Sequence, residues 1–317
     1  MQKLRIVCVL IFVVLLVPAA QGQNPGAARD SYDRAIRNYA KGDFDTAITD
    51  FTRAIELNSL SARGHRQQQQ AWSSGLEPND ASPDSSRITL IDPLNAVAYA
   101  NRALARYQKG DLSGAIADCD RALAIHPGLL QIYKNRGSMR WAAGDLNGAV
   151  ADLNQVLRKD PRDAQTYDIR GNVRTDLGDL AGALSDFDQA IALSQKSAEF
   201  YCDRGQVRQA NRDFTGALAD FDRAIQINPQ LAWAFVCRAG AWEASGNFMR
   251  ALEDLTRAVE LDPHSAQAYG NRGLLRLHLG RDSEAEKDFA ECLRLDANLR
   301  PTLEQRIQVE MSSRARP

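Results

Sequence analysis

A short turn signal recurs along this chain at a fixed interval of 34 residues. Gly110-Asp111, Gly144-Asp145, Gly178-Asp179, Arg212-Asp213, Gly246-Asn247 and Gly280-Arg281 each follow the last by that interval, and Gly42-Asp43 lies two intervals before the first. A period of this length means one small supersecondary unit stacked repeatedly, because a single unit cannot bury its own apolar face. It also resolves a problem of size: 317 residues exceed what one compact core usually holds, whereas a stack grows by addition.

Numbered from 1, the units begin at Ala28, Ala96, Leu130, Ala164, Ala198, Ala232 and Ala266. Position 4 is aromatic in six of these seven (Tyr99, Tyr133, Tyr167, Tyr201, Phe235, Tyr269), position 8 is Gly or Ala throughout, and position 20 is always Ala. Small residues at two fixed places are what closely crossing helices need where their backbones meet. Gly at position 15 takes the left-handed conformation that ends a helix, and Asp at position 16 caps the next one by accepting from its free amides. Pro127, Pro161, Pro229 and Pro263, all at position 32, then stop the second helix.

With spacing, small sites, caps and Pro stops coinciding, residues 28 to 299 resemble the tetratricopeptide repeat family. The resemblance implies an all-α fold, a right-handed superhelical solenoid of helix-turn-helix repeats closed by a C-terminal capping helix. Position 4 departs from the family in carrying mostly Tyr in place of Trp, in the phrase Tyr-x-Asn-Arg-Gly (Tyr133 to Gly137, Tyr269 to Gly273), which leaves the packing role intact. Residues 28–61 read as repeat one and 96–299 as six tandem repeats. Residues 62–95 fill one period, and Asp84, Arg87, Ile91 and Pro93 align with Asp118, Arg121, Ile125 and Pro127, which suggests a degenerate repeat. Ser82 would cap its shortened second helix from Pro83, with an exposed loop between Trp72 and Ser82. A linker is the alternative, given Gln67 to Gln70, Pro78 and Pro83. Past 299, Leu299, Leu303 and Ile307 fall four residues apart, so 300–317 should be the capping helix with a frayed tail from Ser312.

Residues 1–22 read as a signal peptide. Lys3 and Arg5 precede the apolar stretch Ile6 to Val17, followed by Pro18 and the small-residue site Ala20-Gln21-Gly22. Cys8 sits inside that stretch rather than at its end, so it offers no lipid-attachment site. The alternative is an N-terminal membrane anchor, but twelve apolar residues rise only about 18 Å as a helix against a hydrocarbon core of roughly 30 Å. A secreted or periplasmic protein without stable membrane insertion is therefore expected. The net charge of -1 becomes -3 once Lys3 and Arg5 are removed, which leaves no basic field to recruit nucleic acid. Cys119, Cys202, Cys237 and Cys292 show no disulfide-scaffold spacing and read as small core side chains, with Cys202 and Cys237 the one pair close enough in the repeat plan to examine.

No catalytic constellation emerges. His65, His126, His264 and His278 share no metal spacing with Cys or carboxylates, and the repeat glycines end helices instead of cradling phosphate, so neither metal nor cofactor is expected. Position 7 is Arg in all seven units, position 23 is Asp, and a second Arg often stands at position 11. Their joint recurrence favours a structural Arg-to-Asp ladder over a cationic ligand site.

The resemblance places ligand binding in a concave groove lined by positions 2, 5, 6, 9, 12 and 13 of the first helices. In the unit from 130 these include Gln131, Lys134, Asn135, Ser138 and Trp141; in the next, Asp168, Asn172 and Asp176. Asp203, Gln206, Trp233 and Glu243 continue the row. Apart from Lys134 and Asn135, the Lys and Asn set with which family members clamp a peptide carboxylate is missing. The sequence thus supports a non-enzymatic scaffold binding a protein or peptide through Trp anchors and amides. A rigid assembly factor acting through its convex face or ends is the alternative; an enzyme or metal protein has no convergent acid, base or nucleophile behind it. The mature chain is expected to begin at or near Gln23, which intact-mass measurement of the exported protein checks; residues 1–22 retained in a membrane fraction would reverse the localisation.

Overall fold

The computed structural model describes the backbone of residues 25–73 and 85–314, and side chains of 26–59 and 94–314. The signal-like segment, the expected loop between Trp72 and Ser82, and residues 315–317 lie outside the described residues. Every described element is helical: α1 Pro25–Ala40, α2 Phe44–Ser73, α3 Ser85–Gln108, α4 Leu112–Ile125, α5 Leu130–Ala143, α6 Leu146–Lys159, α7 Ala164–Asp176 and α8 Leu180–Leu193. There follow α9 Ala198–Ala210, α10 Phe214–Ile227, α11 Ala232–Ala244, α12 Phe248–Leu261, α13 Ala266–His278, α14 Asp282–Leu295 and α15 Arg300–Arg314. The chain divides into two compact units, 1–173 and 174–317. Within each, helices pair first with second, as α3 with α4 and α5 with α6 in one unit, and α9 with α10 and α13 with α14 in the other.

The turn between paired helices follows from its two signal residues. Gly42, Gly110, Gly144, Gly178, Gly246 and Gly280 have φ between 74° and 85°, a region that costs an L-residue strain, and each lies one or two residues past the end of a first helix. Arg212 occupies the same place at φ 62 and bears that strain. Asp111, Asp145, Asp179 and Asp213 then each accept a 2.9 Å bond from the amide three residues on, capping the second helix. Position 20 is fully buried in every unit, from Ala47 to Ala285, so the small side chain marks the crossing point as expected. Opposite it, a β-carbon on Gly205 would lie 2.6 Å from the Phe221 ring, which is why that ring demands glycine. The tail is more ordered than its sequence suggests, since α15 continues to Arg314.

Residues 62–95 depart from expectation. Pro93 does not stop a helix; α3 runs through it from Ser85 to Gln108, forgoing the one amide hydrogen bond that proline cannot donate. Likewise α2 continues past residue 61 to Ser73. Among the described residues, α3 packs directly on α2, Asn58 Nδ2 donates to Asn95 Oδ1 at 2.9 Å, and Asn101 Nδ2 donates to the Tyr32 hydroxyl at 2.7 Å. Arg102 Nη1 reaches Thr52 Oγ1 at 2.8 Å, a bond that adjacent units elsewhere make across 16 residues and that here spans 50. The difference is one period. Repeat one and the unit from Ala96 are thus direct neighbours, and the described part of 62–95 merely lengthens α2 and α3.

Excising 62–95 rejoins Ser61 to Ala96 in the 34-residue register. The deletion variant is expected to keep its helicity and cooperative melting, with a midpoint within about 4 °C of the full chain, a shift worth no more than about 2 kcal/mol. Loss of cooperative melting by circular dichroism would show that the excursion carries structure of its own.

Candidate functional site

The charged ladder comes first, because it decides which polar groups are left over for a ligand. The position-23 Asp of all seven units is at most 6% exposed. A buried carboxylate without partners would be costly, and here it is met by a guanidinium fork. Arg102, Arg136, Arg204, Arg238 and Arg272 each donate Nε to one oxygen of Asp118, Asp152, Asp220, Asp254 and Asp288, and Nη2 to the other, at 2.5 to 3.0 Å. Arg34 binds Asp50 at 2.7 Å.

Position 11 adds a second donor to the same carboxylate. Arg106, Arg140, Arg174, Arg208 and Arg276 reach it at 2.8 to 2.9 Å, and in repeat one Asn38 does so at 2.9 Å. Nη1 of the same arginines also donates to the position-19 carbonyl, as Arg106 does to Gly114 at 3.2 Å, bracing the turn. The remaining Nη1 of the position-7 arginines points to the previous unit: Arg136 to Asp120, Arg170 to Asn154, Arg204 to Asp188 and Arg238 to Asp222, at 2.5 to 2.7 Å. Each of these arginines further lies 5.2 to 5.7 Å above the position-4 ring of its own helix, so Tyr replaces Trp without losing the cation–π contact. Burial opposes the charge of Arg136 and Arg204, but hydrogen bonds and charges from two aspartates each outweigh it and hold both guanidinium groups above the ordinary range; Arg238 is raised chiefly by Asp254. The ladder is structural, as the sequence suggested.

The expected groove residues divide into two groups. On α5, Lys134, Asn135, Ser138 and Trp141 are buried. Lys134 Nζ donates to Asp163 Oδ2 at 2.7 Å and to Gln165 Oε1 at 3.4 Å; although burial of Asp163 works against its charge, the Lys134 contacts hold that carboxyl below the usual range. Gln131 donates to Asn135 Oδ1 at 2.9 Å, and the Ser138 hydroxyl donates to the Lys134 carbonyl. Trp141, 9% exposed, packs among Ala149, Leu153, Ile169 and Val173. The sequence assigned this ring no partner helix; in the structure it shares an apolar cluster with Ile169 and Val173 of α7. On α7, Asn172 donates to the Asp168 carbonyl at 3.0 Å, and Asp176 is exposed.

In the unit from 174, Asp203 is buried, while Gln206 is half-buried and donates to Cys202 O and Asp203 Oδ1 at 3.3 Å. Trp233 is half-buried between two apolar clusters, one around Cys202 and Cys237 and one around Phe235 and Leu255. Neighbouring Trp242, at position 11, carries Arg250 4.7 Å above its ring. Glu243 lines a cavity of about 560 Å³ with Phe248, Leu274 and Val309. Desolvation pushes its carboxyl above the usual range, against the opposing charges of Arg306 and His278. The sequence reading missed Phe248 and the α15 side of this cavity; Leu303 and Ile307 were its only signal. Burial pushes the thiols of Cys119 and Cys292 up, as befits core side chains. Among the described residues no cluster of three His, Cys, Asp or Glu could hold a metal ion, and no helix is long and apolar enough to cross a membrane.

Comparison with known proteins agrees with this geometry. Tetratricopeptide repeat models match residues 86–129, 243–299 and 198–231, and a TPR repeat model matches 171–211. A tetratricopeptide repeat protein from Parabacteroides merdae is similar in structure at TM-score 0.68 and 19% identity, over 90% of this chain and 99% of that one. The structure of pilF from Pseudomonas aeruginosa is similar at TM-score 0.54 and 15% identity, over 75% of this chain and 92% of that one. At such identities the likeness is one of fold. No curated protein sequence matches the chain.

Proposed function

Since the chain belongs to the tetratricopeptide repeat family, we propose that it is a non-enzymatic scaffold that binds a protein or peptide along the first helices of its C-terminal unit. The observation that carries this reading is the contrast between the two sets of polar groups. The ladder arginines and aspartates satisfy one another, and the α5 residues Lys134, Asn135 and Ser138 are buried in internal bonds. Among the groove positions that stay accessible in the C-terminal unit are half-exposed Gln206, Gln209, Trp233 and Glu243, together with exposed Asp176. A large amphipathic ring with amides beside it is the usual make-up of an interface anchor. The burial of Trp141 with Leu153, Ile169 and Val173 supports the other role weighed for it, filling space between helices. The signal-like residues 1–22 support an exported location.

A photo-crosslinking residue at Gln206 is expected to capture the partner, whereas one at Arg223, on the exposed face of a second helix, is not. Trp233→Ala should weaken partner binding by about 2 kcal/mol, measured by titration. Crosslinking at Arg223 alone, with Trp233→Ala neutral for affinity, would instead establish the scaffold as one that works through its second-helix face.

A further inference from the structure

The C-terminal helix does not continue the stack in the way its predecessors do. First helices α5, α9, α11 and α13 pack on the second helix before them, on α4, α8, α10 and α12. In contrast, α15 packs on α13, itself a first helix. The sequence explains part of this shift. Position 25 of the last unit, where four earlier units offer Asp120, Asn154, Asp188 or Asp222 to the next arginine and the unit from Ala232 has Thr256, is Ala290. With no acceptor there, Arg306 Nη1 turns to Asn271 Oδ1 of α13 at 3.1 Å. His278 Nδ1 meets Glu310 Oε1 at 2.7 Å, and Arg314 Nη1 donates to Asp282 Oδ1 at 2.7 Å. Asn271, Leu274 and His278 are positions 6, 9 and 13 of their unit, so α15 lies on the positions that serve as the groove.

This helix is held lightly. Leu303 is its one buried side chain, packed with Leu274 and Cys292. The polar pins to α13 and Asp282 are all exposed, where such pairs contribute little. Val309 and Met311 are 65% and 58% exposed, and Val309, Gln305, Arg306 and Glu310 form one side of the cavity of about 560 Å³. A helix that buries one side chain and shows two large apolar ones to water does not fit its seat well. The cavity has Phe248 and Leu274 as walls and the Glu243 carboxylate at its edge.

We propose that α15 is an intramolecular stand-in, and that the α11–α13 face it covers is a docking site for an amphipathic helix of a partner protein. That helix would place an apolar side chain in the cavity between Phe248 and Leu274 and a basic one beside Glu243, displacing α15 as it binds. The inference rests on the first-helix reading above and gives it a ligand class. The chemistry is copied from what sits there now: Leu303 packs on Leu274 and Val309 lines the cavity, Arg306 is the basic group whose charge acts on Glu243, and Glu310 is the group opposite His278.

The test needs no partner. A labelled synthetic peptide of residues 300–314 is titrated into the full chain and followed by fluorescence anisotropy. In the full chain α15 competes at high effective concentration, so the peptide should bind weakly. Leu303→Asp, which unseats α15, is expected to tighten peptide binding by about tenfold or more. Arg314→Glu, which loosens only an exposed pin and leaves the core untouched, should act in the same direction by a smaller factor and decides the matter if Leu303→Asp fails to fold. Adding Glu243→Lys to either variant should abolish the gain. Equal peptide affinity in the full chain and both variants, or no effect of Glu243→Lys, would overturn the proposal. So would a wild-type dimer that Leu303→Asp dissolves, since the face would then belong to a second copy. These outcomes leave the crosslinking test at Gln206 standing on its own.

Discussion

A carboxylate buried between two helices is the constraint on which each repeat is built. The position-23 Asp sits at the helix crossing, and leaving it unpaired there would cost several times what an ordinary hydrogen bond returns. The fork of the position-7 Arg answers both its oxygens, the position-11 Arg answers one of them again, and the ring at position 4 supports the guanidinium from its open side. Each group fixes the next: Lys in place of Arg could not serve two oxygens and a neighbouring unit at once. The spare Nη1 carries the pattern from one unit to the next, through Asp120, Asn154, Asp188 and Asp222.

That arrangement accounts for the excursion at 62–95. Arg102 binds Asp118 within its own unit and Thr52 in the preceding one, as though the extra period were absent. The contact needs an acceptor at position 25 of whichever unit is adjacent in space, and sequence separation is immaterial to it. At the other end, Ala290 offers no acceptor, and α15 is free to settle on α13.

Much of this was legible in the sequence. The period, the capping Asp residues, the glycines of positive φ and the buried Ala at position 20 follow from local physics that repeats identically in each unit. Depth was not legible. Repeat position tells which face of α5 Lys134, Asn135 and Trp141 occupy, but whether that face is covered depends on how closely α7 lies, and Ile169 and Val173 close it. The alignment of Pro93 with Pro127 misled, since a proline can sit within a helix at the loss of one bond, and α3 accepts that loss. The seat of α15 was not legible either: Leu303 marks its buried face, but that this face meets Leu274 of α13 follows only from the packing.

The most direct measurement is a double-mutant cycle on Arg136 and Asp152, whose side chains are 14% and 4% exposed. Thermal or denaturant unfolding of the Arg136→Ala, Asp152→Ala and paired variants gives their coupling energy. If the buried fork organises the repeat, the coupling is about 1 to 3 kcal/mol, with the Asp152→Ala, Arg136→Ala pair much less unstable than the sum of its parts. Additivity to within about 0.5 kcal/mol would contradict the account, since the two groups would then contribute through packing and not through each other.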